Sequence, residues 1–140
     1  MVLRDAIVVV RPVPCGTATV ATIAGVRCSL AMAAFLADGS EVWSTNALDL
    51  QAALRRFGYR MRFAEGFPDP CPALEDWLEY DREPVCRALP LVVAVEEDAA
   101  PRHWIAVWRT RLATDGRWER IEDMALSRWA VRAAWWVGRR

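Results

Sequence analysis

Lysine is absent. All 18 basic residues are arginine and 18 acidic residues match them, so the 140-residue chain has a formal charge of zero. That balance removes the whole-protein attraction to nucleic acid that a basic domain has, so a nucleic-acid partner is unlikely on this count, with only a local patch left open. Long apolar runs are missing too. The longest stretches, such as Ala88 to Val95, fall far short of the ~20 residues needed to cross a bilayer, so no membrane span is expected. At the N-terminus Asp5 follows Arg4 at once, and Ala6 to Val10 is briefer than the about 7 to 15 apolar residues of a secretory leader, which reads as cytoplasmic. Histidine occurs once, as His103, and no C-x-x-C pair occurs, which argues against structural zinc; no metal and no cofactor are expected. The four cysteines, Cys15, Cys28, Cys71 and Cys86, are expected as reduced thiols.

What is present is apolar material, 54% of the residues, in a chain long enough to bury roughly 68 to 70% of its unfolded surface as one domain over residues 1–140. Ala6 to Val10 reads as a strand or extended arm that stops at Arg11-Pro12-Val13-Pro14. Gly16 to Ala24 and Cys28 to Ala37 read as two helices closed by Gly25 and Gly39. Ser44, Thr45 and Asn46 are all good helix caps, and Leu50, Ala53, Leu54 and Phe57 beyond them share one face of a third helix ending at Gly58. Tyr59 to Phe63 alternates as a half-buried strand should. A proline-rich loop from Glu65 to Pro72 leads into a short acidic helix through Tyr80.

Leu89 to Val95 and Trp104 to Arg111 have strand composition, and Asp115-Gly116 is a hairpin dipeptide that sends Trp118 to Ile121 back beside the second of them. In the tail after Met124, Leu126, Trp129, Ala133 and Trp136 can share one helical face, so a docked helix over 124–140 is expected. Its arginines and three tryptophans also admit attachment to an anionic membrane surface or stacking on nucleic acid. Helices first and antiparallel strands afterwards make an α+β arrangement.

Three side chains carry candidate chemistry. Cys15 lies between a proline-stiffened loop and the first turn of a helix, where free N–H groups and the positive dipole end favour a thiolate. Gly16 after it leaves room for a substrate carbonyl, and the first-turn N–H groups of Cys15 and Gly16 are candidate oxyanion donors. His103 opens a predicted strand, although a lone histidine at a strand end is as readily a surface residue. Asp123 ends the next strand, and a paired hairpin would bring it beside His103 as the orienter of the imidazole; Glu122 and Asp98 are rivals for that role. Cys28 also opens a helix but lacks a following glycine, and is read as a buried structural thiol.

Cys15-Gly16-Thr17-Ala18, a small-residue helix, Gly25-Val26, a second helix, Trp43-Ser44-Thr45 leading to Leu50 through Tyr59, and later Pro90 to Val95 followed by His103-Trp104-Ile105-Ala106-Val107 resemble the papain-like cysteine peptidases. Closest are the compact bacterial and phage relatives of the bacteriocin-processing, double-glycine peptidases. The resemblance spans about residues 6 to 124. It implies a papain-like fold, with N-terminal helices packed on a C-terminal antiparallel sheet, and acyl transfer through Cys15 as nucleophile, His103 as base and acid, and Asp123 as its support, on a peptide or protein substrate. The glutamine that such enzymes place about six residues before the nucleophile is Val9 here, leaving backbone N–H groups and Arg11 to hold the oxyanion. The other reading is a catalytically silent domain of the same shape with an assembly partner, for example in a phage particle (a virion-associated location).

Overall fold

The computed structural model describes residues 14–40, 45–68, 70–80, 89–97, 100–114, 116–124, 126 and 129–139, apart from the side chains of 79, 80, 97 and 100–102. The arm Ala6 to Val10, with Val9 and Arg11, lies outside the described residues, as do Asp98 and Cys86.

Three helices come first: α1 (Cys15–Ala24), α2 (Cys28–Ala37) and α3 (Ala47–Arg56). Local signals set their limits. Gly25 adopts φ 69 and returns its N–H to Ala21, a left-handed end that a side chain resists. Of the three cap candidates before α3 the chain uses Asn46, whose Oδ1 accepts the Asp49 N–H at 2.9 Å. Arg56 in the last turn of α3 bonds Asp38, just past α2, at 2.6 Å. These hydrogen bonds hold the Asp38 carboxyl below the usual carboxylate range and raise the Arg56 guanidinium. Among the described residues no single helix is long and apolar enough to cross a membrane.

The rest of the chain is β1 (Tyr59–Gly66), α4 (Leu74–Tyr80), β2 (Leu91–Glu97), β3 (Ala100–Trp108), β4 (Arg111–Ala113), β5 (Trp118–Arg120), a 3-10 turn (Ile121–Asp123) and β6 (Trp129–Arg139). The strands form one antiparallel sheet in the order β1-β6-β2-β3-β4-β5. Three helices precede the sheet and α4 is inserted after β1, a mixture of helix and antiparallel sheet compatible with α+β. Side-chain alternation divides the core into two layers. Val92, Ala94, Trp104, Ala106 and Val137 face α1 to α3 and pack with Val20, Phe35, Leu50 and Leu54. Val93, Val95, Ile105, Val107 and Val131 face the other way, where Leu74, Trp77 and Leu78 of α4 cover them.

Two expectations are corrected. The tail is a strand, not a docked helix. β6 lies between β1 and β2 and is covered on both faces, so its apolar residues need not alternate. An extra residue in β6, Arg132, between the Ala94↔Ala133 and Val95↔Val131 pairs, then spaces the buried Val131 and Ala134 three apart, which imitates a helical stripe. The second correction concerns the hairpin. The expected strand Trp104 to Arg111 is broken by a two-residue turn at Arg109-Thr110, with Arg109 at φ 56, so the stretch Trp118–Arg120 pairs with β4 and not with β3. No glycine or proline marks that turn.

Candidate active site

Cys15 is the first residue of α1, and the residue before it is Pro14, which has no side-chain oxygen to cap the helix. The N–H groups of Cys15, Gly16 and Thr17 therefore have no partner within the helix; the first such bond runs from Ala18 to the Pro14 carbonyl at 3.0 Å. The Cys15 Sγ accepts the backbone N–H of Trp104 at 3.4 Å.

This contact follows from the sheet pairing. The tight turn makes Trp108 and Arg111 partners, so alternate residues of β3, Ala106 and then Trp104, direct their backbone groups to the β4 side. β4 ends at Ala113, opposite Ala106, and beyond it the sulfur takes the place of a strand at Trp104. The sulfur thus lies at the rim of the sheet, where Cys15 packs against the helix-side core. By peptide geometry it is no more than about 6 Å from the His103 Cα. Two of the three expected site residues are thereby neighbours in space, across 88 positions of sequence.

His103 leaves β3 on the α4 side of the sheet, half-buried. Its ring stacks on Trp129 of β6, with centroids 5.9 Å apart and planes at 24°. Trp104 leaves on the helix side. Its ring packs against Trp135 at 5.5 Å, and its Nε1 donates to the Thr45 carbonyl at 2.9 Å, which ties β3 to the chain entering α3. The sulfur is thus held by the Trp104 backbone N–H on the helix side, one residue along from His103, whose ring leaves the strand toward the α4 side and onto Trp129.

Asp123 is not part of this group. It is exposed in the 3-10 turn, where the Ile121 N–H bonds the Thr110 carbonyl at 2.9 Å, beside the Trp108 end of β3. From His103 to Trp108 the strand rises about 17 Å. The expected hairpin would have closed that distance; the extra turn at Arg109-Thr110 reverses the chain and puts Asp123 at the wrong end. Glu122 is in the same turn, paired with Arg120. Cys28 opens α2, packed against the helix-side core, and Cys71 lies in the loop after β1, its Sγ 3.8 Å from the Phe67 carbonyl. Among the described residues no disulfide joins Cys15, Cys28 and Cys71. Among the described residues no group of His, Cys, Asp and Glu is arranged to hold a metal ion.

Gly16 does something other than make room for a substrate. It is buried, and a Cβ there would lie 3.0 to 3.2 Å from three side-chain atoms of Thr45. The missing side chain lets Thr45 seat against the first turn of α1, so Cys15, Thr45 and Trp104 form one packed unit. Gly16→Ala is expected to destabilise by about 1 kcal/mol, the crowding outweighing the better helix propensity of alanine. Adding Thr45→Ala should recover part of that loss, and a double-mutant cycle by urea denaturation measures it. Next to it, Thr17 is fully buried and its Oγ1 finds no partner among the described residues. Thr17→Val, of the same shape, should raise stability by about 1 kcal/mol in the same assay, since a buried hydroxyl without a partner costs more than a methyl group.

Thr45, Trp104 and Trp129 are the site residues that sequence reasoning missed. Trp104 follows His103 directly and read as strand core; Trp129 was hidden by the helical reading of the tail. Comparison with protein-family models, with curated proteins and with solved structures finds no match for this chain.

Proposed function

We propose that the chain is a cysteine-dependent amide or peptide hydrolase of papain-like type, with Cys15 as nucleophile and His103 as its acid and base. The observation that supports this reading best is the hydrogen bond from the Trp104 N–H to the Cys15 Sγ. It sets a sulfur at a helix N-terminus against the residue next to the only histidine, a combination that a merely structural thiol does not need.

In this mechanism the Cys15 thiolate attacks the carbonyl carbon of the scissile amide, and protonated His103 gives its proton to the departing amine. The acyl group is left on sulfur as a thioester. Neutral His103 then takes a proton from water, whose oxygen attacks the thioester carbon; the acid is released and the sulfur is restored as thiolate beside protonated His103. The backbone N–H groups of Cys15 and Gly16 supply the oxyanion donors in each half. The stack on Trp129 limits the freedom of the imidazole, a task the distant Asp123 does not perform.

The place of Asp123 favours a second reading, a catalytically silent domain of the same build that serves a protein partner. Alkylation of the native protein with iodoacetamide near neutral pH, followed by peptide mass spectrometry, separates the two. The hydrolase reading expects Cys15 to be modified well ahead of Cys28, Cys71 and Cys86, and Cys15→Ala to remove hydrolysis of a peptide pool while the fold is kept. Equal, slow labelling of the cysteines would favour the silent domain.

A further inference from the structure

We propose that a groove between β1 and β6, at the Tyr59 and Arg139 end of the sheet, binds single-stranded nucleic acid. It is separate from the surroundings of Cys15: Trp136 of the groove pairs with Leu91 at the start of β2, whereas His103 pairs with Val95 near its other end. The cavity is about 580 Å³, and its lining includes Arg60, Arg62, Arg139, Phe63, Leu89 and Trp136 with no carboxylate among the described residues. A chain of zero net charge thus sets Arg60 and Arg62 along one concavity, with Arg139 at its end held over the Tyr59 ring.

Arg60 and Arg62 are exposed on the edge strand and in no ion pair among the described residues, whereas Arg56, Arg120 and Arg132 each have a carboxylate partner. Two residues apart on a strand, they point to one face about 7 Å from each other, a row of cations running along the groove. Guanidinium groups bind phosphate through paired N–H donors and also lie flat on rings. Arg139 already does so, 4.7 Å from the centre of Tyr59.

Aromatic surface accompanies the charge. Trp136 stands opposite Arg62 in the strand register and on the same face, whereas Phe63, the next residue along, turns its ring to the other face, edge-on to Trp135 at 5.9 Å. Successive bases stacking on flat side chains above a basic track is how proteins hold single strands without reading their sequence. An anionic bilayer is better met by aromatics on a convex rim than inside a concavity, and an acidic peptide would leave the ring faces unused.

Fluorescence anisotropy with labelled oligothymidylate and oligouridylate at about 50 mM salt, where phosphate contacts are strongest, tests this. Arg60→Gln with Arg62→Gln should weaken binding at least about tenfold and flatten the log–log salt dependence by about 1.4, which is ~0.7 for each lost phosphate contact. Trp136→Leu should weaken it about fivefold or more through lost stacking, with the urea midpoint measured alongside because Trp136 also packs on the core. Arg111→Gln with Arg117→Gln, exposed arginines near the other edge of the sheet, should leave it unchanged. The proposal is overturned if neither oligonucleotide binds, if the two arginine pairs matter equally, or if anionic phospholipid vesicles or polyglutamate bind as tightly as oligothymidylate.

Discussion

Ala134→Pro is expected to abolish the cooperative fold. Ala134 is fully buried in β6 and pairs with Glu65 of β1 on one side and Val93 of β2 on the other. Proline there removes a ladder hydrogen bond in the middle of a sheet and leaves the facing buried carbonyl without its donor, at a cost of about 1 to 3 kcal/mol. Forcing its ring into a site with no free space adds about 1 to 3 kcal/mol. Against a total stability of about 5 to 15 kcal/mol for a domain, that loss is a large share of the margin and exhausts it at the lower end. Removing the chain from Trp129 onward should have the same outcome, because β1 then loses its sheet neighbour, β6. Circular dichroism with urea titration checks both. A truncated protein that keeps its strand signal and a cooperative transition would mean that the tail is an appendage after all.

The central place of β6 was not legible in the sequence for a physical reason. Periodicity reports burial on one face, and a strand packed on both carries little; Ala130 to Val137 is apolar at every position but Arg132, and the bulge there supplies a spacing of three. The helices were legible because their ends are local chemistry. Gly25, Gly39, Asn46 and Gly58 act within a few residues of themselves, so the boundaries of α1, α2 and α3 follow from the chain in their vicinity. The hairpin at Gly116, φ 91, was readable in the same way. The turn at Arg109-Thr110 was not, because an arginine in the left-handed region carries no signal.

That one unmarked turn also decides how much of the site could be read. The position of Cys15 follows from a helix start that local chemistry marks, and the structure sets its sulfur against Trp104, the residue after His103. Asp123 depended on counting residues around a hairpin, and one additional reversal moved it to the opposite end of β3. Trp104, Thr45 and Gly16 meet from three separate segments, a convergence that no local pattern announces.

His103→Ala is the second substitution with a large expected effect. If His103 transfers the protons, its removal should lower kcat/KM for peptide hydrolysis by about a hundred- to ten-thousandfold while the urea midpoint stays close to that of the parent. Asp123→Ala, by contrast, should leave kcat/KM within about threefold of the parent, since a carboxylate roughly 17 Å along the strand cannot orient the ring. A loss with Asp123→Ala as large as that with His103→Ala would contradict the site geometry. Trp129→Leu keeps an apolar side chain under the ring but not the flat surface, and should fall between the two.

The most direct test of the central claim, that His103 activates Cys15, needs no substrate. It is the rate constant for iodoacetamide alkylation of Cys15 at neutral pH in the parent and in His103→Ala, with Cys28 in the same molecules as the internal reference. The account predicts that the Cys15 rate falls at least about tenfold in the variant while the Cys28 rate is unchanged. Equal Cys15 rates in the two proteins would contradict it.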